Sequence, residues 1–414
     1  MSSNKQTSLD VNFVRTYFPA LSNGFIFMDN AGGSQTLKPV VDKISEYLLN
    51  YDVQHGASYK VSQQAGEKVD FAIKEMAEYI NARDPKEVVM GASSTMMFRI
   101  LSLTLSKNWE AGDEVIVTNS EHESNCSPWT DLKEQGIKVK IWKVNPTSHQ
   151  LDIADLRQLI TSRTRLVTMV HASNILGTIN PVREIADVVH AADALFCVDG
   201  VAYAPHRLLD VQAMDVDFYV LSTYKVFAPH YSLMYGRLEL LEELAGINHY
   251  FIDEVPYKIQ PGNKNYELTY SMSGLTQYLR EVHDHHYPDE TDSTAREKYQ
   301  KSFDLFADHE EKLTNRLMEY LKSNDELVII GEANGNQNKR VSTISFYHKQ
   351  LKSSEFVSRI DSFNIGIRFG DFYAKKIIDA LGLVHKDGVI RVSLVHYNSM
   401  EELEALIEAI QKST

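Results

Sequence analysis

Cysteine is nearly absent from this sequence. Cys126 and Cys197 are the only two in 414 residues, too few for a disulfide framework or a cysteine-rich metal site. Long apolar runs are missing as well: no stretch reaches the roughly 18 apolar residues that read as a membrane span, and the opening MSSNKQTSLD lacks the apolar segment of a secretory signal. These absences point to a cytoplasmic protein. Positive charge is in deficit, with 42 Lys and Arg against 56 Asp and Glu and a formal net charge of −14, so non-specific contact with nucleic acid or an anionic membrane is not expected. The 15 histidines include no HExxH or comparable ligand spacing. His283-Asp284-His285-His286 falls in an acidic stretch expected at the surface, and no metal site is expected. Neither an internal repeat nor a low-complexity tract is present.

What remains is a chain with 43% hydrophobic and 24% charged residues, long enough to bury a large core. Apolar runs at 88–90, 114–117, 137–144, 166–170, 195–198 and 218–221 alternate with segments of helical spacing, among them 67–81, 153–160 and 182–192. Continuous apolar strands separated by helices predict a mostly parallel sheet covered on both faces. Ligands of such sheets bind beyond the carboxyl ends of the strands, where Ser93, Ser94, His122, Asn174, Asp199, Ser222 and Lys225 fall. After about residue 280 the texture changes to a long helix (295–321), strands at 327–330, 341–346 and 389–394, a helix at 355–360, and a last helix opened by a capping box of Ser399 and Glu402. The expected fold is α/β, with a large, mostly parallel sheet domain over 28–281 and a smaller α+β domain formed by 1–27 with 282–414.

Lys225 follows the apolar run Asp217 to Ser222 within Ser222-Thr223-Tyr224-Lys225. A lysine just past a buried strand packs poorly, but desolvation lowers its pKa and leaves a nucleophilic amine able to hold an aldehyde cofactor as a Schiff base. Asp199 ends another apolar run, where a carboxylate can pair with the protonated ring nitrogen of pyridoxal 5'-phosphate. The turn Gly91-Ala92-Ser93-Ser94-Thr95, between a strand and a helix, reads either as a phosphate cradle or as a plain helix cap. In Asp29-Asn30-Ala31-Gly32-Gly33-Ser34, small residues allow a turn close to a ligand or another subunit.

Together these motifs resemble, over roughly residues 25 to 412, the class V aminotransferase-type pyridoxal phosphate enzymes, in the branch of cysteine desulfurases, selenocysteine lyases and isopenicillin N epimerase. The resemblance implies a fold type I pyridoxal phosphate transferase. It makes Lys225 the Schiff-base lysine and Cα proton shuttle, His122 of Glu121-His122 the ring that stacks on the cofactor, and Asp199 of Val198-Asp199-Gly200 the partner of the pyridine nitrogen. Asn174, in His171-Ala172-Ser173-Asn174, falls near the cofactor hydroxyl and substrate carboxylate, while Ser93, Ser94, Ser222 and Tyr224 fall at the phosphate. Arg391, with Arg368 and Asn174, matches the carboxylate clamp, for which arginine's planar fork is suited. Asn263, in a segment that crosses a subunit interface in the family, implies a homodimer with shared sites.

Three departures stand out. Where desulfurases carry a cysteine nucleophile, the loop reads Arg368-Phe369-Gly370-Asp371-Phe372-Tyr373-Ala374, and a phenol with a pKa near 10 cannot accept sulfur as a thiolate does. Ala202 replaces the residue that bonds the cofactor's O3', leaving that role to Asn174, water or Tyr203. Tyr224 stands where the family has histidine before the lysine. Cys197 reads as an inert core thiol, and Cys126 as packing. The expectation is a lyase cleaving by β-elimination, as at a C–S bond, or an epimerase, acting on an amino acid or a derivative, with Tyr373 as general acid. Transamination, or a cofactor-binding scaffold that has lost turnover, are the alternatives.

Overall fold

The computed structural model describes residues 8–414, so the first seven residues of the 1–27 segment lie outside the described residues. The chain enters through helix Val11–Arg15, where Asp10 caps the amide of Phe13, and a two-residue strand, β1 (Ile26–Phe27). A seven-stranded sheet follows from β2 (Val88–Gly91), β3 (Glu114–Thr118), β4 (Lys138–Trp142), β5 (Thr164–Val170), β6 (Leu195–Asp199), β7 (Phe218–Ser222) and β8 (Ser232–Gly236), in the order β2-β8-β7-β6-β5-β3-β4. β3, β7 and β8 are buried at every residue, which is why they read as unbroken apolar runs.

The sequence pattern anticipates six of these strands and misses β8. Only nine residues separate β7 from β8, fewer than the dozen or so a helical crossover needs, so the chain turns straight back and β8 lies antiparallel to both β7 and β2. The other strands share one direction. Their carboxyl ends therefore line one edge, which brings Gly91, Val170, Asp199 and Ser222 side by side.

A second sheet, from β9 (Leu327–Ile330), β10 (Thr343–His348), β12 (Arg368–Gly370) and β13 (Val389–Ser393), is antiparallel in the order β12-β13-β10-β9. Between β10 and β12 along the chain, β11 (Ile365–Gly366) pairs in parallel with β1 as a separate two-stranded sheet, which ties the amino-terminal segment to this part of the chain. β12 is too short to show a period in sequence, yet it sets Arg368 directly opposite Arg391. Each sheet has its own core, and helix Ala295–Ser323 serves both: Tyr299, Phe303 and Phe306 pack on the larger core, Leu313, Leu317 and Leu321 on the smaller.

A main-chain seam also joins the two sheets. The amide of Val341 donates to the carbonyl of Gly177 (2.9 Å) and that of Ile179 to Lys339 (2.9 Å). The buried Arg340 donates to the carbonyls of Val341, Glu332 and Thr343. A side chain at Gly177 would collide with the Thr343 carbonyl, so only glycine lets the backbones approach here. The histidine-rich run departs from expectation. It ends helix Ser273–His286 rather than a surface loop, and His283 is fully buried beside Asp284 (3.0 Å), because the helix turns that residue inward. Among the described residues no group of three or more His, Cys, Asp or Glu is arranged to hold a metal ion. None of the described helices is long and apolar enough to cross a membrane.

Candidate active site

The strand ends of the larger sheet open into a cavity lined by Ser93, Ser94, His122, Asn174, Asp199, Ser222, Tyr224 and Lys225, with Thr95, Ser124, Val201 and Ala202. After β7 the chain makes a single 3-10 turn, Thr223–Lys225, pinned where the Thr223 amide donates to the Tyr231 carbonyl (3.0 Å) and its hydroxyl to Pro229 (2.6 Å). Lys225 is thereby buried. Desolvation pushes its ammonium well below the ordinary range and the nearby Arg391 adds to this, while Asp199 and Asp29 oppose it. Asp199 accepts the Val201 amide (2.9 Å), and burial raises its carboxyl, with that bond and Lys225 pulling it back.

Behind Asp199 the packing is tight. A side chain at Gly200 would overlap the ring of Tyr219, so glycine lets β6 end against it. Tyr219 bonds His171 Nδ1 (2.9 Å), and His171 stacks on Tyr203 with centroids 3.5 Å apart. Burial holds the His171 ring neutral, lowering its pKa to about 3. Tyr203 is engaged in this stack and does not line the cavity, which corrects its expected reach to the cofactor hydroxyl; Ala202 does line it.

Beneath the cavity, Glu121 accepts bonds from the Thr118 hydroxyl (2.6 Å), the Asn125 amide (2.6 Å) and the Val170 N–H (2.9 Å). Burial pushes its carboxyl up to about 8. His122 Nδ1 accepts the Ser124 amide (3.1 Å), which fixes the ring, and burial aided by Lys225 lowers its pKa to about 4. The imidazole is therefore neutral near pH 7.

At the other end Ser93 caps helix Ser94–Leu105 through the Met96 amide (3.2 Å). The Ser222 hydroxyl donates to Ser94 Oγ (2.9 Å), and Thr95 and Ser124 share a 2.6 Å bond. The cap sets Ser93, Ser94 and Thr95 in the cavity lining at the helix start, where the helix dipole favours an anion.

Arg391 is fully buried. It ion-pairs with Asp29 (2.8 Å), donates to the Asn174 carbonyl (3.3 Å) and lies 3.7 Å over the Phe372 ring. Arg368, half-exposed, reaches the other oxygen of Asp29 at 3.4 Å. Two like charges opposite each other across an antiparallel pair repel, and Asp29 between them offsets that. Two buried polar atoms lack partners here, Arg391 Nε and Asn174 Oδ1, and a buried unpaired polar atom carries a desolvation cost that a ligand would relieve. With hydroxyls at a helix start, a lysine of lowered pKa and a carboxylate at the strand ends, this donor set suits pyridoxal 5'-phosphate.

The structure does not bring every candidate together. Tyr373 is 68% exposed, and its ring stands 5.4 Å from that of His122 at the cavity mouth. Phe372 and Tyr373 both have left-handed backbone, φ 51° and 59°, a strained pairing for non-glycine residues. It is held where the Glu123 amide donates to the Tyr373 carbonyl (2.7 Å) and Lys376 pairs with Glu123 (2.8 Å). Asn263 lines a separate depression with Met90, Met96 and Tyr231. Cys126 and Cys197 are both fully buried, and burial raises both thiols. Sequence reasoning did not assign Asp29, Thr95, Ser124 or Phe372. Only Thr95, inside the small-residue turn, and Asp29, heading another, carried a visible signal.

The family model for aminotransferase class-V matches residues 26–406. An aminotransferase-like protein, FGM3, of Gibberella zeae is 41% identical over 98% of both chains. A cysteine desulfurase-like protein, ustD, of Aspergillus flavus is 32% identical over 98% of this chain and 90% of its own. Among solved structures, the apo cysteine desulfurase of Thermococcus onnurineus superposes with a TM-score of 0.85 at 25% identity, covering 100% of this chain and 99% of the other.

Proposed function

The chain belongs to the class V aminotransferases, pyridoxal 5'-phosphate enzymes that act on amino acids, and from that premise we propose that it is a lyase or epimerase in which Lys225 bonds the cofactor and moves the substrate's Cα proton. The observation that carries this is that a desolvated Lys225 and Asp199 line one cavity, with Arg391 near enough to lower the lysine's pKa and bonded to Asn174 of the same lining. When bound, the cofactor supplies an electron sink for bond breaking at Cα.

The residues divide the work. Asp199 holds a proton on the pyridine nitrogen, His122 offers a neutral flat ring, and Ser93, Ser94, Ser222 and Tyr224 hold the phosphate. Arg391 takes the substrate carboxylate through the Nε–H that lacks a partner, with Arg368 at the rim, and Asn174 lies beside it with Oδ1 free to accept from a hydroxyl of the cofactor. Lys225, its pKa lowered toward neutrality, suits the removal and return of a proton. With both thiols buried, β-elimination or epimerisation fits better than transfer of sulfur to cysteine, and Tyr373, whose ring lies 5.4 Å from that of His122, protonates a leaving group or the far face of Cα in this reading. The division into 28–281 and 1–27 with 282–414, and a homodimer in which Asn263 serves the partner's site, belong to the same reading.

The test is direct. Wild-type protein loaded with pyridoxal 5'-phosphate shows a visible absorption band that Lys225→Ala abolishes together with all turnover. A screen of L-amino acids then yields pyruvate with ammonia, or exchange of the Cα hydrogen with inversion. A screen in which no amino acid gives product or exchanges its Cα hydrogen refutes the proposal.

A further inference from the structure

A second cavity, of about 450 Å³, opens beside the catalytic one, and Tyr224 belongs to the linings of both. Two aromatic pairs stand on its walls. Phe25 and Phe27 have ring centroids 5.0 Å apart, and Tyr224 stacks on His230 at 4.7 Å and 13°. At Gly33 the wall is bare backbone: a side chain there would begin 3.4 Å from the Tyr224 ring and take up the space. The charged features are Asp29 and Arg368, 3.4 Å apart, with Asp29 also paired to Arg391.

This chamber touches both anchor points of the proposed substrate. Asp29 is bonded to Arg391, the carboxylate anchor, and Tyr224 immediately precedes Lys225, where the amine arrives. An amino acid held at carboxylate and amine has one part left free to extend, its side chain. We propose that the chamber is the side-chain subsite and that the substrate is an α-amino acid with an extended, flat, aryl-like side chain. This rests on the amino-acid reading of the catalytic cavity. A methyl or thiomethyl group would leave nearly all of a space of small-molecule size unfilled, whereas a flat ring finds aromatic faces against which offset or edge contacts are favourable.

The experiment measures dissociation constants for L-alanine, L-phenylalanine and L-tyrosine on the cofactor-loaded enzyme, by the change in its visible spectrum and by calorimetry. The aromatic amino acids bind at least tenfold more tightly than alanine. Thr36→Trp, which fills the chamber from a residue with no part in the chemistry, erases that margin while alanine's constant moves less than twofold. Phe25→Ala, at a residue already 37% exposed, narrows the margin several-fold and keeps the test open should the tryptophan variant fail to fold. Equal binding of alanine and tyrosine by the wild type, or equal weakening of both by the variants, overturns the subsite and leaves the catalytic reading standing. If no amino acid, alanine included, binds or alters the spectrum, the catalytic reading fails and the subsite falls with it.

Discussion

On the side of the active site built by the larger sheet, the polar groups sit at strand ends or helix caps, Asp199, Ser222 and Lys225 are buried, and the groups are held by hydrogen bonds: Asp199 by the Val201 amide, His122 by the Ser124 amide, Ser94 by Ser222. On the side built by the smaller sheet, a buried Arg391 and a half-exposed Arg368 share the one carboxylate of Asp29, and Tyr373 stands mostly in water on a strained loop. The first side is made once and does not adjust. The second is held by few contacts, so its rearrangement costs little. Chemistry common to many substrates belongs on the rigid side, and discrimination among substrates on the adjustable one.

The comparison breaks if the rigid side tolerates change. Asp199→Asn keeps the Val201 bond but removes the buried charge. Losing one member of a buried charge pair costs about 3 kcal/mol or more, so turnover should fall at least a hundredfold, in steady-state kinetics, with the cofactor still bound. A smaller effect sharpens the contrast within the adjustable side. Arg391→Lys keeps the charge but loses the fork, and hydrogen bonds to charged groups are worth about 1.5–3 kcal/mol. Substrate affinity should therefore fall roughly thirtyfold, against no more than about fivefold for Arg368→Lys at the exposed position.

The last expected effect is on stability rather than turnover and concerns pH. His122 titrates near 4 when folded against 6.5 unfolded, so below pH 6.5 the unfolded ring takes a proton that the folded one refuses. Stability is lost as pH falls toward 4. Glu121, raised to about 8, works the other way, losing its contribution as pH rises from 4.5 to 8. Denaturant titration of wild type and His122→Gln at pH 7 and 4.5 isolates the histidine: the variant should lose less stability on acidification, by on the order of 2 kcal/mol. Equal losses would show that His122 is not held neutral by burial.

Lys225 and Asp199 were legible in the sequence because a charged residue ending an unbroken apolar run conflicts with packing, and such conflicts mark function. The parallel strands were legible for the same reason of period and burial. β8 was not, since its direction follows from a connection length rather than from composition. His283 misled because an acidic neighbourhood in sequence says nothing about which way the last helical turn faces. Asp29 was missed as a bridge because its two arginines lie 339 and 362 residues away, beyond any local pattern. The strain at Phe372 and Tyr373 is a backbone property that neither residue type announces.

The stitched backbone at Gly177, Lys339 and Val341 has a consequence for motion. A contact made by carbonyls and amides of both parts, with an arginine's nitrogens knotted through it, is not one that slides, so any swing of the part bearing Arg391 must take this seam as its axle. Asn174 sits three residues from that axle and is displaced least, while the free rim at Arg368 and Tyr373 sweeps the widest arc.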